Sequence, residues 1–216
     1  MSTYTKAYFE TRFTADPKRE TLWWALNRYY FDSIIKPTDC VLELGAGYGH
    51  FINNVRAGER IALDLWQGFT QHLQPGIRAH VGPADDLSSL ADSSVDFVFA
   101  SNLFEHITQQ SLESVLQQLR RILRPTGTLN ILQPNYRFAY REYFDDYTHI
   151  TVYSDRGMCD FLAANNYEVI DCQPRFMPLT IKSRFKVSPL LIRAYLRSPF
   201  KPMGKQMLIR ARPSRP

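Results

Sequence analysis

The sequence is poor in cysteine, and this scarcity limits the classes of protein to which it can belong. Only Cys40, Cys159 and Cys172 occur among its 216 residues. Their number is odd and no two of them form a short-spaced pair, so neither a disulfide framework nor a cysteine-based metal site is indicated. We expect reduced thiols packed in the core. We also see no spacing of metal ligands elsewhere, and we predict no metal site.

Long apolar runs are also missing. No stretch approaches the roughly 20 apolar residues of a membrane-spanning helix. The segment Met1–Lys6 lacks the apolar core of a signal peptide, so we expect a cytoplasmic protein. A chain of 216 residues is long enough for one α/β domain with a full core and short for two.

Acidic residues are absent from the C-terminal part of the chain. Residues 172–216 contain eleven Lys or Arg and no Asp or Glu, whereas the rest of the chain contains 15 basic and 21 acidic residues. This unbalanced positive charge favours an anionic partner.

The nature of that partner is suggested by a short helix that the sequence predicts from Pro189. Arg193 and Arg197 fall four residues apart on one face of this helix, away from Leu191, Tyr195 and Leu196. Cations beside apolar side chains suit the headgroup region of an anionic membrane, or a lipid-linked acceptor presented there. The hypothesis is a peripheral membrane contact through residues 174–215. An ordinary solvated surface is the alternative.

What the sequence does contain is centred on residues 40–50, Cys-Val-Leu-Glu-Leu-Gly-Ala-Gly-Tyr-Gly-His. The apolar run predicts a buried parallel strand. The three alternate glycines predict a sharp turn that approaches a ligand closely, and residues 51–55 predict a helix. A strand, a glycine turn and a helix in this order form a cofactor cradle at the carboxyl end of a strand.

The spacing of the glycines narrows the choice of cofactor. The dinucleotide fingerprint is G-x-G-x-x-G, but His50 stands where its last glycine is needed, and no Walker-type Lys and Ser/Thr pair follows. Glu43 lies two residues before the first glycine. A carboxylate there would repel a pyrophosphate, whereas it suits a ligand that carries an ammonium and a sulfonium group.

Two segments resemble a known family. Glu43 to Gly49 match the first motif, E/D-x-G-x-G-x-G, of the class I S-adenosylmethionine-dependent methyltransferases. Ser101 to His106 resemble the S-N-x-x-E-H segment of the type 11 methyltransferase domain, a branch that acts mostly on small molecules. The resemblance covers residues 40–135 well. It implies an α/β fold with a doubly wound, seven-stranded, mostly parallel Rossmann-like sheet and an antiparallel last strand.

The resemblance also implies S-adenosyl-L-methionine as the cofactor. Asp64 ends a predicted second strand, where a carboxylate can accept hydrogen bonds from both ribose hydroxyls; an isolated Asp in such a place is more often a helix cap. Residues 82–87 resemble a G-D-A-x-x-L segment that holds the adenine, but Pro83 replaces its Asp. The adenine amine is therefore left to Asp85, to Asp86 or to the backbone. The predicted cofactor contacts are Glu43, Gly45, Ala46, Gly47, Asp64, Leu65, Asp85, Asp86, Leu87, Ser101 and Asn102.

The candidate catalytic bases are two histidines, because the pKa of histidine lies near working pH. His106 follows the predicted fourth strand. His149 lies in an aromatic, charged segment, residues 133–153, which we interpret as a substrate-facing loop. His149 stands near Asp145 and Asp146, which can orient it, so we rank it ahead of His106. Either histidine taken singly is also compatible with a purely structural role.

We predict one methyltransferase domain over residues 1–216. It is divided into an N-terminal helical cover (1–39), a core (40–173), a basic proline-rich insertion (174–204) and a last strand (205–212). The N-terminal helix is expected to begin after Asp16, with Pro17 at its first position.

The predicted activity is methyl transfer to a small-molecule or glycan-like acceptor, at oxygen. The alternatives are methylation of a nucleic acid such as RNA, which the basic segment favours, and a catalytically silent module that binds the cofactor. An N/D-P-P-Y/F motif is missing after the fourth strand, where Ser101-Asn102-Leu103-Phe104 stands instead. Its absence argues against methylation of base or glutamine amines.

Overall fold

The computed structural model describes residues 17–179 and 187–214, and these build a seven-stranded sheet. The strands are β1 (Cys40–Leu44), β2 (Glu59–Asp64), β3 (Ile77–Val81), β4 (Val95–Ser101), β5 (Leu123–Pro134), β6 (Tyr167–Pro178) and β7 (Gly204–Pro213). Their order is β3-β2-β1-β4-β5-β7-β6. The pairs among β1 to β5 are parallel, and β7 is antiparallel to both of its neighbours. The predicted sheet, including its antiparallel last strand, is confirmed.

The centre of the sheet is β1, all five residues of which are buried. Side chains alternate between the two faces of a strand. Leu42 and Leu44 accordingly pack in one hydrophobic cluster and Val41 in another. Burial on both faces explains why the strand is a nearly continuous apolar run. The chain proceeds from β1 outward to β3 and then returns to β4 on the other side of β1. This reversal places a ligand-binding crevice at the carboxyl ends of β1 and β4.

The described part of the chain contains five α-helices. They are α1 (Pro17–Tyr29), α2 (Gln109–Ile122), α3 (Tyr136–Ala139), α4 (Asp155–Ala164) and α5 (Pro189–Arg197). The Ser154 hydroxyl caps α4 by accepting a hydrogen bond from the Gly157 amide, which satisfies one of the free amides at the start of the helix. The predicted cap of α1, Asp16, lies outside the described residues, and α1 begins at Pro17 as expected.

The segment after the glycines differs from the prediction, because it is a single 3-10 turn, Ile52–Asn54, and not a helix. The side-chain amide of Asn53 donates to the His72 carbonyl oxygen and its oxygen accepts from the Gln74 amide. Short polar side chains that bond to the backbone in this way compete with helix formation. The cradle consequently consists of a strand, a glycine loop and one turn.

The fifth and sixth strands, β5 and β6, are each 12 residues long. Both pair with β7, which reaches from Gly204 to Pro213 and adds hydrogen-bond partners beyond the apolar runs. As a result, the first residues of the predicted insertion, 174–178, belong to β6. The insertion does contain the predicted short helix, α5, but Lys182, Arg184 and Lys186 lie outside the described residues. Within the residues that the structure describes, no helix has the length and apolar character needed to cross a membrane.

Candidate active site

The glycine loop after β1 adopts a backbone that side chains rarely allow. Gly45, Gly47 and Gly49 have φ angles of 68°, 52° and 66°, values that favour glycine because other residues are strained there. The amides of Gly45 and Ala46 both donate to the Leu63 carbonyl oxygen of β2, at 2.8 and 3.0 Å. These bonds hold the loop against the end of the neighbouring strand.

Asp64, the last residue of β2, also holds the glycine loop in place. One carboxylate oxygen accepts from the Gly47 amide and the other from the Trp66 amide, each at 2.8 Å. Burial raises the pKa of Asp64, and the hydrogen bonds from the Trp66, Gly47 and Leu65 amides oppose that effect. Each carboxylate oxygen has a second lone pair, so Asp64 can hold the loop and still accept from a ligand hydroxyl.

Glu43 is a second carboxylate at the wall of the site, and it is 4% exposed. Its Oε2 accepts a hydrogen bond of 3.1 Å from the Ile52 amide. Burial raises the pKa of Glu43 well above its ordinary value; the Ile52 hydrogen bond lowers it, and the nearby charge of Asp64 raises it further. A cation brought beside Glu43 would stabilise its ionised form. The site is therefore electrostatically suited to a positively charged ligand.

A cavity of about 950 Å³ opens at the carboxyl ends of β1, β2 and β4. Most of the predicted cofactor contacts line it: Glu43, Gly45, Ala46, Gly47, Asp64, Leu65, Asp85, Ser101 and Asn102. His106 lines the same cavity. The structure therefore brings residues from four separate segments of the chain to one space, whose volume falls within the range of small-molecule sites.

Two of the predicted cofactor contacts lie outside the cavity wall. The Asp86 carboxylate accepts hydrogen bonds from the Ser88 amide and hydroxyl, which turn it towards its own loop. Leu87 is fully buried in the hydrophobic core. Of the two acidic candidates for the adenine amine, only Asp85 borders the cavity, together with Gly82, Pro83 and Ala84.

Only one of the two candidate histidines borders the cavity. His106 lines the cavity, whereas His149 lies behind it, with the ring centroids 4.8 Å apart. His149 Nε2 lies 4.0 Å from an Oε atom of Glu105, a residue with no solvent exposure. Burial raises the pKa of Glu105 to about 8, and the charge of Asp146 adds to the shift. His149, which the sequence analysis ranks first, is thus the one that does not reach the cavity wall.

The predicted substrate-facing loop, residues 133–153, is attached to the site through its last residues. The Ile150 and Thr151 amides both donate to the Glu105 carbonyl oxygen, and the Thr151 hydroxyl donates to Ile107. Ile150 lines the cavity, but the aromatic residues of the loop do not appear in its wall. Tyr140, Phe144 and Tyr147 are exposed to solvent instead.

Several residues that the sequence analysis did not select also line the cavity. Arg19 and Trp23 of α1 cover one side, and Tyr48 and Trp66 lie on another. Trp23 packs edge-on against Phe99, with centroids 5.8 Å apart. The sequence analysis predicts an N-terminal helical cover over residues 1–39, and α1 lies within it. A local pattern does not show which of its residues overhang the crevice.

The residues present fit S-adenosylmethionine. Within residues 17–179 and 187–214, a Cβ added to Gly47 or to Gly82 would meet no atom within 4 Å beyond its chain neighbours, so at both positions bare backbone borders space that a ligand can fill. Glu43 and Asp64 supply buried carboxylates for a cationic group and for hydroxyl groups. Apolar walls from Trp23, Trp66 and Ile107 are available to an adenine ring or an acceptor.

Comparisons with known proteins agree with this interpretation. Residues 42–131 match the family described as "Methyltransferase domain". The chain is 32% identical over 136 residues to a malonyl-[acyl-carrier protein] O-methyltransferase of Methylococcus capsulatus, covering 56% of this chain and 48% of that protein. It is 31% identical over 121 residues to the human thiol S-methyltransferase TMT1B, covering 49% of each. The chain thus spans about half the length of these curated relatives.

Among solved structures, a SAM-dependent methyltransferase from Archaeoglobus fulgidus has the same fold. The two superpose with a TM-score of 0.68 at 20% sequence identity, over 96% of this chain and 99% of that one. The glycine loop, the sheet order and the matched family together establish that the chain contains a class I S-adenosylmethionine-dependent methyltransferase domain.

Proposed function

We propose that this chain transfers a methyl group from S-adenosylmethionine to an oxygen of a small-molecule or glycan-like acceptor. The observation that carries the proposal is the continuity of the cavity. One space of about 950 Å³ joins the glycine loop and its two carboxylates to His106. A donor and an acceptor can therefore be held side by side in it, and holding reactants in line supplies much of the catalysis of a substitution.

The donor half of the cavity is assigned from its polar groups. When bound, S-adenosylmethionine supplies an electrophilic methyl group on a sulfonium. Asp64 accepts hydrogen bonds from the ribose hydroxyls, and Glu43 lies where it can stabilise the positive charge of the ligand. Residues 82–85 form the wall beside the adenine.

The acceptor half lies beyond the end of β4, where His106, Ile107, Thr108 and Ile150 line the cavity. A hydroxyl acceptor must lose a proton as its oxygen attacks. We assign this deprotonation to the cluster of Glu105, His106 and His149. His106 is the member that borders the acceptor, and His149 lies behind it.

Oxygen is favoured as the methylated atom by two arguments. The first argument is that one relative, the Methylococcus protein, is an O-methyltransferase. A histidine whose ordinary pKa lies near neutrality is suited to accept a proton from an activated hydroxyl. The human relative is a thiol methyltransferase, so sulfur is the competing acceptor atom.

A screen with cofactor that carries a labelled methyl group tests the proposal. The protein is incubated with separate panels of hydroxyl compounds, including sugars, of thiols and of RNA. We expect label in a hydroxyl acceptor, and none when Gly47→Val protein is used. Transfer confined to thiols or to RNA would contradict the proposed acceptor. Binding of S-adenosylhomocysteine without transfer to any panel would support the catalytically silent module instead.

The basic C-terminal segment supports a second proposal, a peripheral contact with an anionic membrane. Leu190 and Leu191 at the start of α5 are 68% and 66% exposed, and Phe200 after it is 82% exposed. Arg193 and Arg197 lie on the same helix and are exposed. Tyr195 and Leu196, in contrast, are half-buried, and Leu196 packs against the core beside α1. The apolar side chains available to a membrane are therefore the leucines at the N-terminal end of α5.

Sedimentation with vesicles tests this contact. Each basic group near an anionic surface contributes about 1 kcal/mol, so Arg193→Glu combined with Arg197→Glu is expected to weaken binding to anionic vesicles by roughly 30-fold or more. Arg120→Glu, which reverses an exposed charge on α2, is the matched control and is expected to bind as the wild type does. Equal recovery with neutral and anionic vesicles would leave the segment as a solvated surface.

A further inference from the structure

We propose that Glu105, His106 and His149 bind a divalent metal ion at the acceptor end of the cavity. Each of the three residues offers one ligand atom, and these atoms all lie within 4.8 Å of one another. Histidine nitrogen and carboxylate oxygen bind ions such as Zn²⁺ at about 2.0–2.2 Å. Ligand atoms on one ion are thus at most about 4.4 Å apart, and small side-chain rotations bring these three into range.

The Glu105 carboxylate is the strongest sign of a missing ligand. Its residue is fully buried, and neither of its two oxygens has a hydrogen-bond partner. Buried polar groups in proteins are hydrogen-bonded in the great majority of cases, and an exception requires an explanation such as an ion. The main chain of Glu105 is held in place, because the Ile150 and Thr151 amides both donate to its carbonyl oxygen. A fixed, buried carboxylate without hydrogen-bond partners is a suitable ligand for a cation.

Both histidine rings are oriented through Nδ1. His149 Nδ1 donates to the Tyr143 carbonyl oxygen. His106 Nδ1 lies 3.2 Å from the Thr148 carbonyl oxygen and 2.9 Å from its hydroxyl oxygen. That hydroxyl donates a hydrogen bond to Asp146, so it can only accept a hydrogen bond from the ring. Each Nδ1 therefore carries a proton, so the lone pair that each ring can offer to an ion is on Nε2.

This arrangement is the one that metal-binding histidines adopt. Such a histidine usually donates its other ring N–H to a carbonyl or carboxylate, which fixes the tautomer and the direction of the ring. Two imidazoles and one carboxylate suit Mn²⁺, Fe²⁺, Co²⁺ or Zn²⁺ and leave coordination positions open. No metal is predicted from the sequence, because Glu105 and His106 are adjacent and His149 is distant in the chain.

An open position on this ion gives the reaction a way to activate its acceptor. His106 lines the cavity, so an acceptor oxygen that enters beside it can bind the ion directly. A bound ion would lower the pKa of a coordinated hydroxyl, whose proton would pass to water because both rings hold the ion. The oxygen would then attack the methyl carbon while the methyl–sulfur bond breaks and S-adenosylhomocysteine leaves. This last step rests on the proposed methyl transfer to oxygen. It narrows the acceptor to compounds with a hydroxyl that can coordinate a metal, and a vicinal diol such as a sugar provides two.

Titration of the metal-free protein with Mn²⁺ is the direct test. We expect one ion per chain by calorimetry. Electron spin-echo spectra of the Mn²⁺-loaded wild type are expected to show coupling to imidazole nitrogen. Manganese that binds with water ligands only, or no saturable binding at all, overturns the proposal. These two results need no variant, so they do not depend on the folding of an altered protein.

Variants then assign the ligands. Residues that hydrogen-bond to a metal ligand and orient it typically contribute 10–100-fold to metal affinity. Thr148 orients His106 in this way, so Thr148→Val is expected to weaken Mn²⁺ binding by roughly that factor. Glu105→Gln, which preserves the shape of the side chain, and His149→Ala remove ligands and are expected to lose roughly 100-fold or more. His80→Ala, a histidine on β3 outside the cavity, is the control and retains binding. Unchanged affinity in Glu105→Gln would show that the carboxylate is merely a partner for His149.

Binding of S-adenosylhomocysteine separates this inference from the proposed function. A protein that binds S-adenosylhomocysteine and methylates a hydroxyl without any metal refutes the role of the ion in catalysis and leaves the proposed function intact. A protein that binds Mn²⁺ through the three residues but methylates only thiols retains the metal site and refutes the acceptor.

Discussion

The Gly47→Val variant is expected to lose measurable binding of S-adenosylhomocysteine. The wild type should bind this compound in the micromolar range, with a binding free energy of about −8 kcal/mol. Gly47 has a φ of 52°, and a β-branched residue is a conformational outlier there. Among the residues that the structure describes, apart from its chain neighbours, no atom lies within 4 Å of the added Cβ. The side chain therefore projects into the cavity and occupies ligand space, while the hydrogen bond that the backbone N–H of residue 47 donates to the Asp64 carboxylate is strained. Isothermal calorimetry measures the loss.

A second glycine provides a matched control for this variant. Gly76 has a φ of 83°, an added Cβ there would meet only Arg60, at 3.8 Å, and it does not line the cavity. Gly76→Val should thus lower the melting temperature through the same kind of backbone strain and leave the affinity unchanged. In the same assay, Asp64→Ala is expected to lose about 1–3 kcal/mol, the usual loss for hydrogen bonds to a charged acceptor. Wild-type affinity in Gly47→Val would refute the placement of the cofactor.

The variants His149→Ala and His106→Ala are each expected to lower turnover roughly 10²-fold or more. The effect is expected for His149 even though this residue does not reach the cavity. The two effects have the same origin if both rings act on the acceptor through one ion. Affinity for S-adenosylhomocysteine is expected to stay within about twofold of the wild type in both variants, because neither ring is among the groups assigned to the cofactor. Single-turnover rates with a hydroxyl acceptor provide the measurement.

The turnover of the two histidine variants, compared with each other, distinguishes a shared role from a single base. A base that acts alone makes His106 essential and His149 dispensable, since only His106 borders the cavity. Wild-type turnover in His149→Ala would therefore contradict a shared role. His80→Ala controls for the loss of an imidazole elsewhere and should turn over normally.

Much of the cavity wall around the glycine loop was predictable from the sequence. The apolar run before Gly45, the positive φ angles that the glycines allow, and the acidic residue at the end of the next strand are all properties of short segments. Glu43 and Asp64 reach the same cavity because parallel strands place their carboxyl ends at one edge of the sheet. A local pattern combined with that rule of topology was sufficient to locate them.

Predictions that depended on side-chain direction did not follow from the sequence. Asp85 and Asp86 are adjacent and chemically alike, yet only Asp85 borders the cavity, because Ser88 holds the Asp86 carboxylate. The expected helix after the glycines is a single turn, because Asn53 bonds across to another segment. In both cases a hydrogen bond in the folded loop decided the outcome.

By itself, the sequence determined the α/β sheet and the cofactor of the domain, because strand burial and glycine geometry act over about ten neighbouring residues. Only the tertiary structure decided which groups meet at the acceptor end. His106 and Thr148 are 42 positions apart and lie in hydrogen-bond contact, and the same docking of the loop brings His149 to the buried carboxylate of Glu105. Contacts of this kind depend on how the loop after β5 packs against the end of β4, and no periodicity within either segment encodes that packing.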